Sequence, residues 1–205
     1  DVQLSWLTAV AILNGSIWRL AFGIITDKFG GRRVLTALLL VTAVPTFLVT
    51  RATSFNQLLV YAFLLGLSGN SFNVGISWNS SWFPKERQGL ALGIFGAGNA
   101  GSALTSAFSP MILRNLTEGG ANPEGWRTLP KVYAAALAVT AVLFFLSTTN
   151  RKAPGAQSKT LVQRLQPLRY LTVWRFSLEY FLVFGGFVAL SQWLIPYYVG
   201  AYGMS

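Results

Sequence analysis

Apolar residues run along this chain in six blocks, at about 4–26, 34–50, 57–82, 88–113, 130–149 and 174–200. A bilayer core of about 30 Å takes roughly 20 helical residues, so each block is long enough, or nearly so, to span one. The fold class this predicts is all-α, a polytopic transmembrane helical bundle. Cations, glycines and prolines collect between the blocks. The pattern also predicts three regions: an N-terminal bundle over 1–149, a basic linker over 150–173, and the opening helix of a second bundle over 174–205. Pro154, Gly155, Gln157 and Ser158 mark the linker as irregular.

Composition agrees with the pattern. Charged residues make up 11% of the chain, against about 25% in soluble domains. Aromatic residues make up 14%, with seven Trp placed mostly near block ends, as interfacial anchors are. The net charge of +10 could suit nucleic acid, but its placement does not. Eleven of the sixteen Lys and Arg fall in the first, third and fifth connections and at the start of the sixth block; four fall in the second and fourth connections and at the start of the fifth block. That asymmetry puts the eleven-cation side in the cytoplasm. A multi-pass protein of the cell (inner or plasma) membrane is expected, with the lipid bilayer as its surroundings and no nucleic-acid partner. The chain has neither Cys nor His, so thiolate metal sites, disulfides and the commonest general base are all excluded. No nucleophile–base pair or cofactor motif is present, so an enzyme, a metal site or a cofactor is not expected.

Against this background the polar residues inside the blocks stand out. Arg19 lies in the middle of the first. A guanidinium near a bilayer midplane costs at least about 2.5–3.5 kcal/mol and persists where it faces a protein interior or aqueous cavity with an anionic or polar partner. Asn14 precedes it and could line the same cavity. The third block carries Asn70, Ser71, Asn73, Ser77 and Asn79, too polar for a lipid-facing helix. The fourth has Gly89, Gly93, Ala97 and Gly101 at four-residue spacing, with Gly96 and Gly98 beside them, a seam along which helix backbones approach closely. Asn99 sits among those glycines and needs a hydrogen-bond partner from a neighbouring helix or a ligand. Glu179, four residues after Arg175, is the one carboxylate well inside an apolar run; an Arg–Glu pair at the cytoplasmic rim is the expectation, a proton site the alternative.

Two motifs carry a resemblance. Between the first two blocks, Gly23-Ile-Ile-Thr-Asp27-Lys28-Phe-Gly30-Gly31-Arg32-Arg33 resembles the loop after the second helix of major facilitator superfamily transporters, except that the family usually has a cation where Gly31 stands. The stretch Gly93-Ile-Phe-Gly96-Ala-Gly98-Asn99-Ala-Gly101 is similar to the nitrate signature of the superfamily's nitrate/nitrite porters. The resemblance implies that the six blocks are the family's second to seventh helices, with the first helix and the rest of the C-terminal half outside this chain.

It also implies roles. Arg19 would be the substrate arginine of the N-terminal half, with its counterpart outside the chain. Phe72 would cover one face of a bound anion, Tyr180 would donate a hydrogen bond, and Phe184 would cover the other face. Asn99 would join this substrate set. Gly23, Asp27, Gly30, Arg32 and Arg33, with Gly89, Gly93, Gly96, Gly98 and Gly101, would serve packing and conformational change. The implied function is alternating-access transport of nitrate and nitrite by a monomer. Proton symport and nitrate/nitrite exchange both stay open, with Glu179 as the candidate proton site. A non-transporting sensor or scaffold on the same fold is the alternative.

Overall fold

In hydrocarbon every backbone N–H and C=O must find its partner within the protein, so spanning segments are driven to helix. The computed structural model describes residues 2–152 and 160–203, and every regular element in them is helical. The α-helices are α1 (Val2–Ile17), α2 (Arg19–Phe29), α3 (Gly31–Val49), α4 (Phe55–Leu65), α5 (Asn70–Ser80), α6 (Lys85–Gly96), α7 (Ala100–Leu116), α8 (Thr128–Ser147), α9 (Leu161–Leu165) and α10 (Leu171–Tyr202). They fall into two compact units, residues 1–157 and 158–205.

Five of the six predicted blocks stand out by helix length and hydropathy. Four helical segments among the described residues are long and apolar enough to cross a membrane: 31–49, 55–80, 125–147 and 171–194. The pair α1 and α2, bent by 46° at its break, makes a fifth. The remaining block, 88–113, is helical almost throughout as α6 and α7, but its glycines, Asn99 and hydroxyl residues dilute its hydropathy. Three blocks are also interrupted. The first breaks at Trp18, the third passes through a 3-10 turn at Gly66–Gly69, and the fourth through another at Ala97–Asn99.

The first unit is built inside out relative to a soluble domain. Many of its buried positions are small or polar, among them Asn14, Gly15, Thr26, Thr42, Asn70 and Gly75, beside a few apolar ones such as Val34, Leu38 and Val74, while many large apolar side chains face outward. Lipid is as apolar as leucine, so helices associate through close packing and hydrogen bonds instead of by hiding apolar surface. Helix α3 packs along α8, α1 and α2 lie against α4 and α5, and α6 lies against α5.

Arginines tie α3 and α8 together at both ends. At one end Arg32 donates to the Phe145 carbonyl through Nε (2.9 Å) and Nη2, with its guanidinium 4.0 Å from the Phe145 ring centre. At the other, Arg127 donates through Nη1 to the Thr50 carbonyl while paired with Glu124. Each places a cation on the orphan carbonyls at a helix C-terminus. Asn150 donates to the Phe29 carbonyl (2.9 Å) and Arg151 stacks on Trp82 at 5.0 Å. The connections assigned to the cytoplasm therefore meet at one end of this unit, and the external ones meet at the other.

The second unit opens with two short helical pieces. Thr160 and Gln163 form a reciprocal capping box that starts α9, and a 3-10 turn at Gln166–Arg169 follows. Helix α10 begins at Leu171, three residues early, and runs 32 residues, about 48 Å at 1.5 Å per residue. Pro154, Gly155, Gln157, Ser158 and Lys159 lie outside the described residues.

Candidate functional site

The break in the first span decides where Arg19 stands. Gly15, Ser16 and Trp18 precede it: a glycine weakens the helix, and the Ser16 hydroxyl bonds back to the Ile12 carbonyl (2.9 Å), which tends to bend helices. The helical bond from Trp18 N to the Asn14 carbonyl is stretched to 3.4 Å, and α2 restarts at Arg19. A Cβ on Gly15 would come within 2.7 Å of the Gly66 carbonyl oxygen and 3.8 Å of Gly69 Cα. One on Gly66 would overlap the Ala11 backbone. Two broken spans thus cross with their backbones in contact, which glycine alone permits.

Amides brace the crossing from both helices. Asn14, fully buried, donates from Nδ2 to the Phe63 carbonyl (2.5 Å). Asn73 donates from Nδ2 to the Arg19 carbonyl (2.8 Å). Arg19 itself is half-buried, and its Nε is a buried donor with no acceptor. A buried donor without a partner costs about 1–3 kcal/mol, so this guanidinium is poised for an acceptor that binds to it.

Phe72 stacks on Phe95, with ring centres 5.6 Å apart, which links α5 to α6. Gly75 makes room for the same Phe95 ring. Asn99 is exposed in its 3-10 turn, where its carbonyl accepts from the Ser102 hydroxyl at 2.7 Å. Gly89, Gly93, Gly96, Gly98 and Gly101 face open space, so no described residue packs on the seam.

The Asp27–Arg33 loop is tighter than its spacing suggests. Gly30 alone joins α2 to α3, at φ +86°. That left-handed region favours glycine. The Ser77 hydroxyl reaches Asp27 Oδ1 at 3.4 Å, while Arg33 is exposed. Gly23, one turn after Arg19, has the Asn73 amide against it, 3.6 Å from where a Cβ would stand.

In the second unit Tyr180 and Phe184 stack with centres 5.0 Å apart and planes within 7°. Phe184 also meets Phe187 at 6.4 Å. Glu179 is exposed, and the expected ion pair with Arg175 does not form among the described residues. An arginine N-terminal to its glutamate is the weaker order on a helix.

Sequence reasoning passed over Gly15 and gave Asn73 no particular role. Asn14 proves to be tied to backbone. Hydrogen bonds from one helix to another's carbonyl leave no periodic trace in a sequence; the signal available was an amide at membrane depth, which demands some partner.

The sequence model of one family matches residues 1–205 without remainder, that of the Major Facilitator Superfamily. The chain belongs to the Major Facilitator Superfamily. It is accordingly a multi-pass membrane protein, a partial facilitator bundle. Relatives carry more specific names. The chain is 52% identical over 209 residues to a "Probable nitrate/nitrite antiporter NarK1" of Thermus thermophilus, covering 100% of this chain and 47% of the relative. It is 31% identical to a "Nitrite extrusion protein" of Bacillus subtilis, over 99% of the chain and 49% of the relative. It is 35% identical to a "Probable nitrate/nitrite transporter NarK2" of Mycobacterium tuberculosis, over 100% of the chain and 51% of the relative. The chain spans about half the length of these curated relatives. No solved structure matches it.

Within the facilitator loop, the departure at Gly31 has a local cause. Gly31 is buried, and a Cβ there would overlap the Trp78 side chain. Trp78 is itself held edge-on between Trp82 (6.4 Å) and Phe144 (5.3 Å). The space a cation's stem would occupy is filled by indole.

Proposed function

We propose that the protein carries nitrate and nitrite across the cytoplasmic membrane by alternating access, with Arg19 as an anion ligand. The observation that carries this is the buried, unpartnered Nε of Arg19 at the bend between α1 and α2. Nitrate is planar, monovalent and delocalised. A guanidinium presents planar donors that match its oxygens, and it is weakly enough hydrated to work in a dry pocket. By the family resemblance, Phe72 and Asn99 are further candidate ligands within the first unit, and Tyr180 and Phe184 are the candidates that the second unit carries. The mode is exchange of one anion for the other, which the name of the 52% identical relative supports. One subunit suffices, without a cofactor, and the reaction is transport instead of catalysis.

Flux through the intact, reconstituted protein tests the mode. Vesicles loaded with nitrite should take up external nitrate, and vesicles with only an inward proton gradient should not. Uptake driven by the gradient alone would replace exchange with proton symport, and would turn attention to Glu179.

A further inference from the structure

The bend at Trp18 releases α2 from the register of α1, so the direction of the Arg19 side chain is not dictated by the helix before it. Contacts with α5 fix it instead. The Asn73 amide, on α5, donates to the Arg19 carbonyl at 2.8 Å. The same amide lies beside Gly23, one turn further along α2, where a Cβ would stand 3.6 Å from its nitrogen. On the other side of the bend Asn14, on α1, donates to the Phe63 carbonyl on α4 at 2.5 Å. Between these two bonds the backbones touch through Gly15, Gly66 and Gly69. The half of the broken span that carries Arg19 is thus registered on α5 at both ends: far from the arginine by the Ser77 hydroxyl on Asp27 Oδ1 (3.4 Å), and at the arginine by the Asn73 amide on its own carbonyl.

We propose that Asn73 is a positioning residue for the anion site: it touches no substrate, but it sets where the Arg19 guanidinium points and so sets anion affinity. Asn73 suits the task because its amide lies beside the first turn of α2 and its donor is spent on backbone. A donor aimed at the Arg19 carbonyl holds the start of α2 against α5, and a part-buried bond of this kind is stronger than one in water. The inference rests on the reading of Arg19 as an anion ligand.

The test uses the intact transporter in nitrate/nitrite exchange, comparing wild type with Asn73→Leu, Asn73→Gln and Arg19→Ala. Asn73→Leu keeps the heavy-atom branching, with somewhat more bulk, and removes the donor; Asn73→Gln keeps a donor on a longer stem. Loss of one neutral hydrogen bond is worth roughly a fivefold change in an equilibrium. Asn73→Leu is therefore expected to raise the nitrate KM about fivefold or more, with kcat at saturating nitrate within about twofold of wild type, and Asn73→Gln to recover part of the loss. The thermal midpoint without nitrate should barely move, whereas the upward shift that nitrate produces should shrink. A wild-type KM in Asn73→Leu, or a fall in kcat and thermal midpoint at unchanged KM, overturns the positioning role. Should Asn73→Leu not yield folded protein, the same comparison is read from Asn73→Ala, and equal KM values for Asn73→Ala and Asn73→Gln overturn it. Arg19→Ala separates the two levels. Nitrate exchange that survives in Arg19→Ala sinks the anion-ligand reading itself; exchange lost there but kept at wild-type KM in Asn73→Leu sinks the positioning role alone.

Discussion

Glycine at position 31 is where the chain leaves the facilitator loop pattern, and its neighbour explains why. The family's usual cation would need a Cβ in space that the Trp78 side chain fills, and Trp78 cannot yield easily because Phe144 and Trp82 hold it. The loop retains its other cations: Arg32 serves the end of α8, and Arg33 stays exposed. Overpacking a filled site costs typically about 1–3 kcal/mol. Gly31→Ala is therefore expected to destabilise the protein by about that much, read as a lower thermal midpoint. Trp78→Ala should cost stability alone, yet the double variant should be less unstable than the two losses added, since neighbours in contact couple. Strict additivity would show that Gly31 is not there to admit the indole.

At the scale of elements, the distinctive feature is a pair of broken spans placed against one another. Unbroken helices at this crossing would keep their backbones apart, and both breaks occur where glycine lets the backbones meet. The 3-10 turn Gly66–Gly69 brings a carbonyl oxygen to Gly15, and Ala11 leaves no space for a Cβ at Gly66. Gly66→Ala should consequently lower the thermal midpoint and the yield of folded protein, by more than the roughly 1 kcal/mol that separates glycine from alanine in helices, and with the opposite sign. Propensity favours alanine at this helical position; only the close approach opposes it. A higher thermal midpoint for Gly66→Ala would mean the crossing is looser than described. The α3–α8 pair shows a second device, an arginine at the start of each helix bonding the last carbonyls of the other. Antiparallel neighbours held at both ends are suited to move as one body.

For the whole molecule, the helical class and the membrane setting were legible because each depends on composition and period. The Asp27–Arg33 turn was legible because its glycines and charges have narrow structural uses. Block 88–113 falls short of a span's usual hydropathy for a physical reason: the glycines that make α6 and α7 a packing seam also lower the hydropathy by which a span is recognised. The seam itself could be read, but no described residue covers it, so its use stays within the proposal. The Arg175–Glu179 pair was expected from spacing alone, and spacing ignores the order of charges. Least legible were the amide braces, since Asn14 and Asn73 bond to carbonyls 49 and 54 residues away. The same separation of length scales bears on function: Arg19 can be singled out in one dimension, whereas the bend that buries its Nε without a partner exists only in three.

The most direct test of the central claim is nitrate uptake by nitrite-loaded vesicles containing the intact protein with Arg19→Lys. Lysine keeps the charge but lacks the planar fork. The account predicts that uptake falls to the level of empty vesicles while the protein still folds and inserts. Uptake at the wild-type rate in Arg19→Lys, and again in Arg19→Ala, would contradict it.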